Sequence, residues 1–343
     1  MLVSDFEFEL PPELIAQEPL PERDASRLMV LDRRTGAIAH RAFRDLPRLL
    51  APGDLVVRNR SRVIPARLLG KRDSGGEAEV LLVRDRGEGR WEAMVRPGRY
   101  LRPGQRVNVD DDLTVVVESE AIAEDSRRMV RLLSRARDIP AALERCGHVP
   151  LPPYVRRADA PADRERYQTI YAQEPGSVAA PTAGLHFTNE VLDGLRARGV
   201  ETAEVVLHVG PGTFRPVTAE QVEDHRVQPE EFVLSERTVD AVTRARARRG
   251  RVVAVGTTTV RTLEGAASTG ELAASAGETA LVIVPGFRFQ VTDALVTNFH
   301  LPRSSLLLLV AAFAGRERVL AAYAEAIEAR YRFYSYGDAM LVI

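Results

Sequence analysis

The pattern of apolar and polar positions divides the chain into two kinds of segment. Short strands are predicted at 29–32 and 55–57, each beside a turn that contains glycine. From about residue 66, alternating runs follow one another, separated by turns rich in glycine, proline and aspartate. Many short strands at regular spacing are typical of a small antiparallel barrel or sandwich. These runs are 78–83, 91–95, 106–109, 113–118 and 129–133.

Beyond the proline-rich segment 149–154, the pattern changes to alternating helices and strands. Thr188 is predicted to cap a helix that runs to Gly199, and Ser304 or Ser305 to cap an apolar helix over 306–314. Strands that alternate with helices indicate a largely parallel sheet covered on both faces. The predicted strands of this part are 205–209, 251–255 and 280–284.

We therefore expect an α/β domain with a mixed, largely parallel sheet, formed by both chain ends, and an inserted small antiparallel β-barrel domain. The α/β domain would be discontinuous, with residues 1–65 and 153–343, and the insertion would be 66–152. The N-terminal part is too short to form a domain alone, which is why both chain ends are assigned to one domain.

Composition excludes several classes of function. Hydrophobic residues make up 45% and charged residues 28%, as in ordinary globular proteins. A net charge of −1 does not favour nucleic-acid binding, although a local basic patch would suffice. The single cysteine excludes an intrachain disulfide and a cysteine-based zinc site. The acidic N-terminus is unlike a signal peptide, and the most apolar run, 306–315, is half the ~20 residues that span a bilayer. We expect a soluble cytoplasmic protein without membrane contact.

Two segments beside predicted strands could approach a ligand through their backbone. Segment 255–264 (VGTTTVRTLE) turns from a strand into a helix, with Arg261 in the first turn. A cation there opposes the helix dipole unless an anion also binds, so the segment is either an anion site or a capped helix with a solvated arginine. Segment 208–214 (HVGPGTF) is a tight turn or a close approach to a ligand, and it lacks the GxGxxG spacing.

Two further segments carry histidines. Segment 180–188 (APTAGLHFT) precedes a helix. Its small residues either line the floor of a binding pocket or form a structural loop. In 298–302 (NFHLP), Asn298 and His300 lie between apolar segments, so they are either satisfied by backbone or face a pocket. The six histidines have no metal-ligand spacing, so no metal site is expected.

A basic stretch lies within the predicted barrel. Arg96, Arg99, Arg102 and Arg106 occur together with Tyr100, and no acidic residue stands between 93 and 109. Such a stretch suits contacts with phosphates and one stacked base. A solvated face of the barrel is the alternative.

These segments occur together, and in this order, in one known family. The chain closely resembles the S-adenosylmethionine:tRNA ribosyltransferase-isomerases of queuosine synthesis over essentially its whole length. The matching segments are FEFELPPELIAQEP (6–19), SRL (26–28), VIPARL (63–68), WEAMVRPG (91–98), YQTIYA (167–172), GSVAAPTAGLHFT (176–188), LHVGPGTFRPV (207–217), VGTTTVRTLE (255–264), TNFHLP (297–302) and YRFYSYGDAM (331–340).

The resemblance implies a reaction as well as an α/β fold with an inserted barrel. S-adenosylmethionine is a consumed substrate that donates its ribosyl group, and no metal or separate cofactor is implied. The acceptor is 7-aminomethyl-7-deazaguanine at the tRNA wobble position. The product is epoxyqueuosine-tRNA, with release of adenine and methionine. A monomer with S-adenosylmethionine and tRNA as partners is expected.

The resemblance and the chemistry together suggest residue roles. A sulfonium acidifies the adjacent ribose protons, and adenine leaves more easily when protonated, so the site needs a base and an acid. Histidine titrates near neutral pH, so His186, His208 and His300 are the expected catalytic residues, with base and acid unassigned. The expected S-adenosylmethionine contacts are Pro181, Thr182, Gly184, Gly210, Gly212, Thr213, Phe214, Thr257, Thr258, Arg261 and Asn298, the corner at 257–261 holding the methionine carboxylate. The expected tRNA contacts are Arg67, Arg96, Arg99 and Arg102.

Three positions depart from the family pattern. Arg60 replaces an aspartate, Gln228 replaces a histidine, and the segment around Ala280 lacks the usual acidic and aromatic residues. These departures motivate a second hypothesis, a diverged relative that uses S-adenosylmethionine on a different acceptor. A non-catalytic RNA-binding protein is disfavoured, because the small-molecule loops are almost intact and the chain is not basic.

Overall fold

The structure is a computed structural model that describes residues 1–121, 127–214, 216–268 and 270–343. Its strands are β1 (Arg27–Leu31), β2 (Ile38–Ala42), β3 (Leu55–Asn59), β4 (Ser61–Val63), β5 (Arg67–Arg72), β6 (Glu77–Asp85), β7 (Arg90–Arg96), β8 (Arg106–Asn108), β9 (Leu113–Val117), β10 (Arg128–Ser134), β11 (Glu174–Ser177), β12 (Glu201–Leu207), β13 (Glu230–Leu234), β14 (Val252–Val255), β15 (Ser275–Thr279), β16 (Ala294–Asn298) and β17 (Ala339–Val342).

The helices are of two kinds. The α-helices are α1 (Leu46–Leu49), α2 (Ile139–Cys146), α3 (Asp163–Arg166), α4 (Asn189–Ala197), α5 (Glu236–Ala247), α6 (Thr257–Ala267), α7 (Ser305–Ala314) and α8 (Arg316–Glu328). Short 3₁₀-helices occur at Val3–Phe6, Pro12–Leu14, Arg23–Ala25, Phe43–Asp45, Gly98–Tyr100, Thr182–His186, Pro211–Phe214 and Val222–Asp224. Within the described residues, no helix combines the length and apolar character that a bilayer crossing requires.

A nine-stranded mixed sheet forms the centre of the molecule, in the order β15-β13-β12-β3-β14-β16-β17-β1-β2. Its central strands β12, β3, β14 and β16 are mutually parallel, because apolar runs buried on both faces suit a parallel sheet. Helices α7 and α8 pack on one face, and α1 and α4 on the other. Strand β1 pairs in parallel with β17, so both chain ends build one sheet, as expected.

Strands β5 to β10 form the expected antiparallel barrel, closed in the order β10-β7-β6-β5-β8-β9. Alternate side chains such as Val80 and Leu82 point inwards and are fully buried. Helix α2 adds Ala142 and Leu143 to this core. The barrel strands lie inside the predicted insertion, whereas the boundaries at 66 and 152 stay a prediction.

One predicted strand is wrong. Residues 280–284 are not a strand; the strand is β15, which ends at Thr279. The Leu281 N–H binds Thr279 Oγ1 at 3.2 Å, and the Leu281 carbonyl accepts from Arg261 Nε at 3.0 Å. Ile283 is buried in the main core. A short apolar run shows that a segment is buried, but it does not show which backbone conformation buries it.

Candidate active site

The candidate site lies at one edge of the central sheet. Parallel strands present their carboxyl ends at the same edge, where open α/β sheets bind ligands. Asn59 ends β3, His208 follows β12, Gly256 follows β14, and Asn298 ends β16. Strand β17 is antiparallel to β16, so the segment 334–338 before it returns to this edge. The fold therefore brings together five segments that are far apart in sequence.

Two connected spaces open at this edge, which we call the recess and the cleft. The recess, of about 60 Å³, lies between segments 180–183, 256–258, 297–301 and 334–335. The cleft, of about 740 Å³, extends from Thr213 to the barrel, and Thr213 and Leu306 line both spaces. Ligand pockets commonly measure ~300–1,000 Å³, so the cleft can hold a nucleoside and the recess only a small part of one.

Most of the expected site residues line these two spaces. Pro181, Thr182, Thr213, Phe214, Thr257, Thr258, Asn298 and His300 line the recess. His208, Gly210, Gly212, Thr213 and Arg261 line the cleft. Among the expected catalytic and S-adenosylmethionine-binding residues, two line neither space: Gly184 is packed against Tyr171, and His186 lies behind the wall of the recess. The binding role of each residue stays a prediction.

The turn from β14 into α6 needs a backbone conformation at position 256 that glycine adopts readily. Gly256 has φ +85°, and no side chain in the described parts of the protein caps the start of α6. Asn59 Nδ2 donates to Thr258 Oγ1 at 3.3 Å, which holds this hydroxyl at the recess. The first N–H groups of α6 are therefore available to an anion, as the sequence left open.

Arg261 has partners within the protein that the sequence analysis did not foresee. Its Nη1 donates to Glu230 Oε2, its Nη2 to the Thr279 carbonyl at 3.3 Å, and its Nε to Leu281. Glu230 is buried, and its Oε1 accepts from the Gly210 N–H at 2.8 Å. A substrate carboxylate at Arg261 would thus compete with Glu230, the first residue of β13.

His186 is enclosed by protein. Its Nδ1 lies 2.7 Å from Ser26 Oγ, its Nε2 lies 3.1 Å from Asn298 Nδ2, and its ring stacks on Phe43. Burial, with help from nearby arginines, lowers the pKa of His186 to about 3, so the ring is neutral at working pH. This environment favours a role in holding other groups over proton transfer.

His300 and His208 face the two spaces. His300 Nε2 lies 2.8 Å from Thr297 Oγ1, and burial lowers the pKa of His300 to about 3. His208 is half-buried at the cleft, and burial lowers its pKa as well. Its Nδ1 has no partner among the described residues. A Cβ on Gly176 would lie 2.9 Å from the His208 ring, so glycine is needed there to seat the histidine.

The barrel reaches the cleft with residues other than the expected ones. Arg84, Trp91 and Arg127 line the cleft. Arg84 forms ion pairs with Glu231 and Glu278 on the sheet. Alternating strands give no indication of which barrel end meets the sheet, so these contacts could not be read from the sequence.

The expected tRNA contacts of the barrel do not line the cleft. Arg96, Arg99 and Arg102 are exposed beyond the other end of β7, and Arg99 lies over the Tyr100 ring at 4.5 Å. Arg67 is half-buried and pairs with Glu79 at 3.2 Å. The exposed face is open to a large polyanion, and its binding role stays a prediction.

The departures from the family pattern have different surroundings. Arg60 forms surface ion pairs with Glu174 and Glu204. Gln228 lines the cleft and accepts from Arg127 at 2.8 Å. Ala280 is exposed and lines neither space. Its neighbours Leu281, Val282 and Ile283 do line the cleft, so both Gln228 and this segment lie where they can affect the acceptor. Across the described ranges, no three His, Cys, Asp or Glu side chains come together as metal ligands.

Comparison with known proteins identifies the family. A profile described as "Queuosine biosynthesis protein" matches residues 3–342. The chain is 54% identical to the S-adenosylmethionine:tRNA ribosyltransferase-isomerase of Anaeromyxobacter sp. strain Fw109-5, over all of this chain and 99% of that protein. It is 52% identical to the Heliobacterium modesticaldum protein of the same name, over the full length of both. The crystal structure of S-adenosylmethionine tRNA ribosyltransferase from Thermotoga maritima is 43% identical, covering 99% of this chain and all of that chain, with a TM-score of 0.58. The chain belongs to the queuosine biosynthesis protein family.

Proposed function

We propose that the protein transfers and isomerises the ribosyl group of S-adenosylmethionine onto 7-aminomethyl-7-deazaguanine at the wobble position of tRNA. The observation that carries this proposal is the meeting of the recess and the cleft at the carboxyl edge of the sheet, lined by the segments that the family shares. Full-length relatives more than 50% identical, and named for this reaction, support it.

The recess and the cleft bind different parts of the two substrates. S-adenosylmethionine lies across them, with one end in the recess and its sugar towards the cleft, which has room for an acceptor base. His208 is the histidine positioned for proton transfer, because its half-buried ring lines the cleft. Since burial lowers its pKa, the ring is neutral and able to accept a proton near pH 7.

The anticodon arm of the tRNA reaches the cleft between the sheet and the barrel. The exposed arginines Arg96, Arg99 and Arg102 contact its phosphates at a distance from the chemistry. The protein acts as a monomer. The reaction needs neither metal nor separate cofactor and takes place in the cytoplasm, where tRNA is modified.

Mass spectrometry of tRNA tests the proposal. The purified protein, incubated with S-adenosylmethionine and tRNA that carries the aminomethyl-deazaguanine base, should produce epoxyqueuosine-tRNA and one adenine per modification. EDTA should leave the rate unchanged.

Controls separate the alternatives. The tRNA with an unmodified wobble guanine should remain unchanged and release no adenine. Turnover of S-adenosylmethionine with another acceptor would instead favour the diverged relative. Binding of tRNA without any turnover would favour a non-catalytic protein.

A further inference from the structure

Two buried polar atoms at the recess have no hydrogen-bond partner within the described structure. They are Asn298 Oδ1 and the Tyr334 hydroxyl, on residues that are 2% and 5% exposed. Both residues line the recess. Folded proteins pair nearly all buried polar atoms, so an unpaired acceptor and an unpaired hydroxyl in one small space indicate a ligand with a polar edge. Tyr334 also has φ +73°, a conformation that is unfavourable for tyrosine and is found at functional sites.

The direction in which the Asn298 amide points follows from its neighbours. One of its terminal atoms lies 3.1 Å from the Tyr334 carbonyl and 3.5 Å from the Asp338 carbonyl. Carbonyl oxygens only accept, so this atom must be the nitrogen Nδ2. The other atom, Oδ1, is therefore an acceptor held towards the recess.

The same reasoning fixes the proton of His186. Nδ2 of Asn298 donates, so His186 Nε2 must accept from it at 3.1 Å. The ring proton then lies on Nδ1 and is donated to Ser26 Oγ at 2.7 Å, and Ser26 in turn donates to the Arg23 carbonyl at 3.3 Å. In this series of hydrogen bonds each group donates to the next, from Asn298 through His186 and Ser26 to the Arg23 carbonyl. Both ring nitrogens of His186 therefore take part in hydrogen bonds.

We propose that Asn298 Oδ1 accepts a hydrogen bond from an N–H or O–H donor of S-adenosylmethionine, and that His186 and Ser26 are positioning residues that hold this acceptor. The inference rests on the proposed function and refines it: His186 acts through Asn298 and does not transfer a proton in the reaction. The preferred donor is the exocyclic amine of adenine, because this group is small enough to enter the recess, where the edge of the base would meet the aromatic residues Tyr154, Phe214 and Tyr334. A ribose hydroxyl has the same donor chemistry.

Substrate analogues test the acceptor. The kcat/KM of the wild-type protein and of Asn298→Ala is measured by methionine release with S-adenosylmethionine, S-inosylmethionine, and the 2′-deoxy and 3′-deoxy analogues. In S-inosylmethionine a carbonyl replaces the exocyclic amine. With this analogue the kcat/KM of the wild-type protein should fall on the order of tenfold. The kcat/KM of Asn298→Ala should be the same with S-inosylmethionine as with S-adenosylmethionine, since this variant has already lost the acceptor. Asn189→Ala, an exposed asparagine at the start of α4, is the matched control and should behave as wild type.

The pattern across analogues decides the outcome. If a deoxy analogue shows the coupling to Asn298 in place of S-inosylmethionine, the acceptor is confirmed and its donor is a ribose hydroxyl. If Asn298→Ala changes the loss for none of the analogues, the assignment of Oδ1 is overturned. Isothermal titration of S-adenosylmethionine, which should bind Asn298→Ala roughly tenfold more weakly, tests the acceptor without turnover. A wild-type protein that binds S-adenosylmethionine but modifies no tRNA would refute the proposed function and leave this binding test intact.

A pH profile tests the positioning role. Ser26→Ala and His186→Asn should lower kcat/KM and weaken the discrimination against the analogue, while both limbs of the pH–rate profile remain. Loss of one limb in His186→Asn would show that His186 transfers a proton and would overturn the positioning role. Ser26→Ala is the milder change if His186→Asn fails to fold, which a thermal melt reports. His40→Gln is the control, because His40 also has both ring nitrogens bonded, to Tyr331 and Glu325, but lies on the surface.

Discussion

At the scale of single residues, the sequence identified the polar groups of the site but not their surroundings. Asn298 and His300 were expected either to bind backbone or to face a pocket, and Asn298 does both with its two terminal atoms. His186 was expected to titrate near pH 7, yet it is enclosed between Ser26, Phe43 and Asn298. The residue type sets the chemistry that is available, and burial decides which part of it is used.

Burial of neutral histidines should make the protein less stable in mild acid. The pKa of His186 and of His300 is about 3 in the folded protein, whereas that of unfolded histidine is about 6.5. Between these values the unfolded chain binds more protons, so stability is complete above pH 6.5 and falls as the pH decreases. Each histidine contributes a slope of at most about 1.4 kcal/mol per pH unit. Calorimetry at pH 7, 6 and 5 should therefore show a falling Tm.

Two variants test whether buried histidines cause the fall in Tm. His300→Gln should melt lower than wild type at pH 7 but lose less on acidification, because one buried titrating ring is gone. Asn189→Ala changes an exposed residue that does not titrate and should keep the wild-type slope. An unchanged Tm between pH 7 and pH 5 would contradict the expectation.

At the scale of elements, signals that depend on neighbouring residues were the reliable ones. Thr188 caps α4 by accepting from the Val191 N–H at 3.3 Å, and Ser304 caps α7 through the Leu307 N–H at 3.2 Å, both as predicted. The strand predicted for 280–284 was wrong because apolar character alone does not specify a strand. Its backbone binds Arg261, a residue far away in sequence.

Removal of a predicted cap should change stability without changing activity. Thr188→Ala leaves a helical N–H without its partner and should lower the free energy of unfolding by about 1 kcal/mol. Thr243 is the matched control, because its hydroxyl bonds back to the Val239 carbonyl inside α5 and caps nothing. Urea unfolding measures both variants. A Thr188→Ala protein as stable as Thr243→Ala would show that the cap contributes nothing.

At the scale of the whole molecule, the barrel contributes residues to two separate surfaces. Its inner end meets the sheet through Arg84, which binds Glu231 and Glu278, and completes the cleft. Beyond the other end of β7 it exposes Arg96, Arg99 and Arg102. A tRNA long enough to contact both surfaces would be held by its backbone at one and by its base at the other.

This arrangement predicts a loss of tRNA affinity that depends on salt. The double variant Arg99→Ala/Arg102→Ala should bind tRNA more weakly and reduce the slope of log Kd against log salt by roughly 1 to 2, because about two phosphate contacts are lost. The KM for S-adenosylmethionine should stay the same. Arg196→Ala/Arg198→Ala is the control, since these arginines are exposed at the end of α4, which leads to the amino end of β12, away from the sheet edge that carries the site. Equal salt slopes for the two double variants would refute a tRNA contact at this face.

The sequence by itself determined the class of fold, the inserted barrel and both helix caps, because these depend on periodicity and on neighbouring residues. Only the tertiary structure decided how Ser26, His186 and Asn298 form one directed hydrogen-bond chain, and how Glu230 occupies Arg261. These partners are separated by 31 to 160 positions. Their contact depends on the order of the strands in the sheet, which brings the segments next to those strands together, and no local pattern encodes that order.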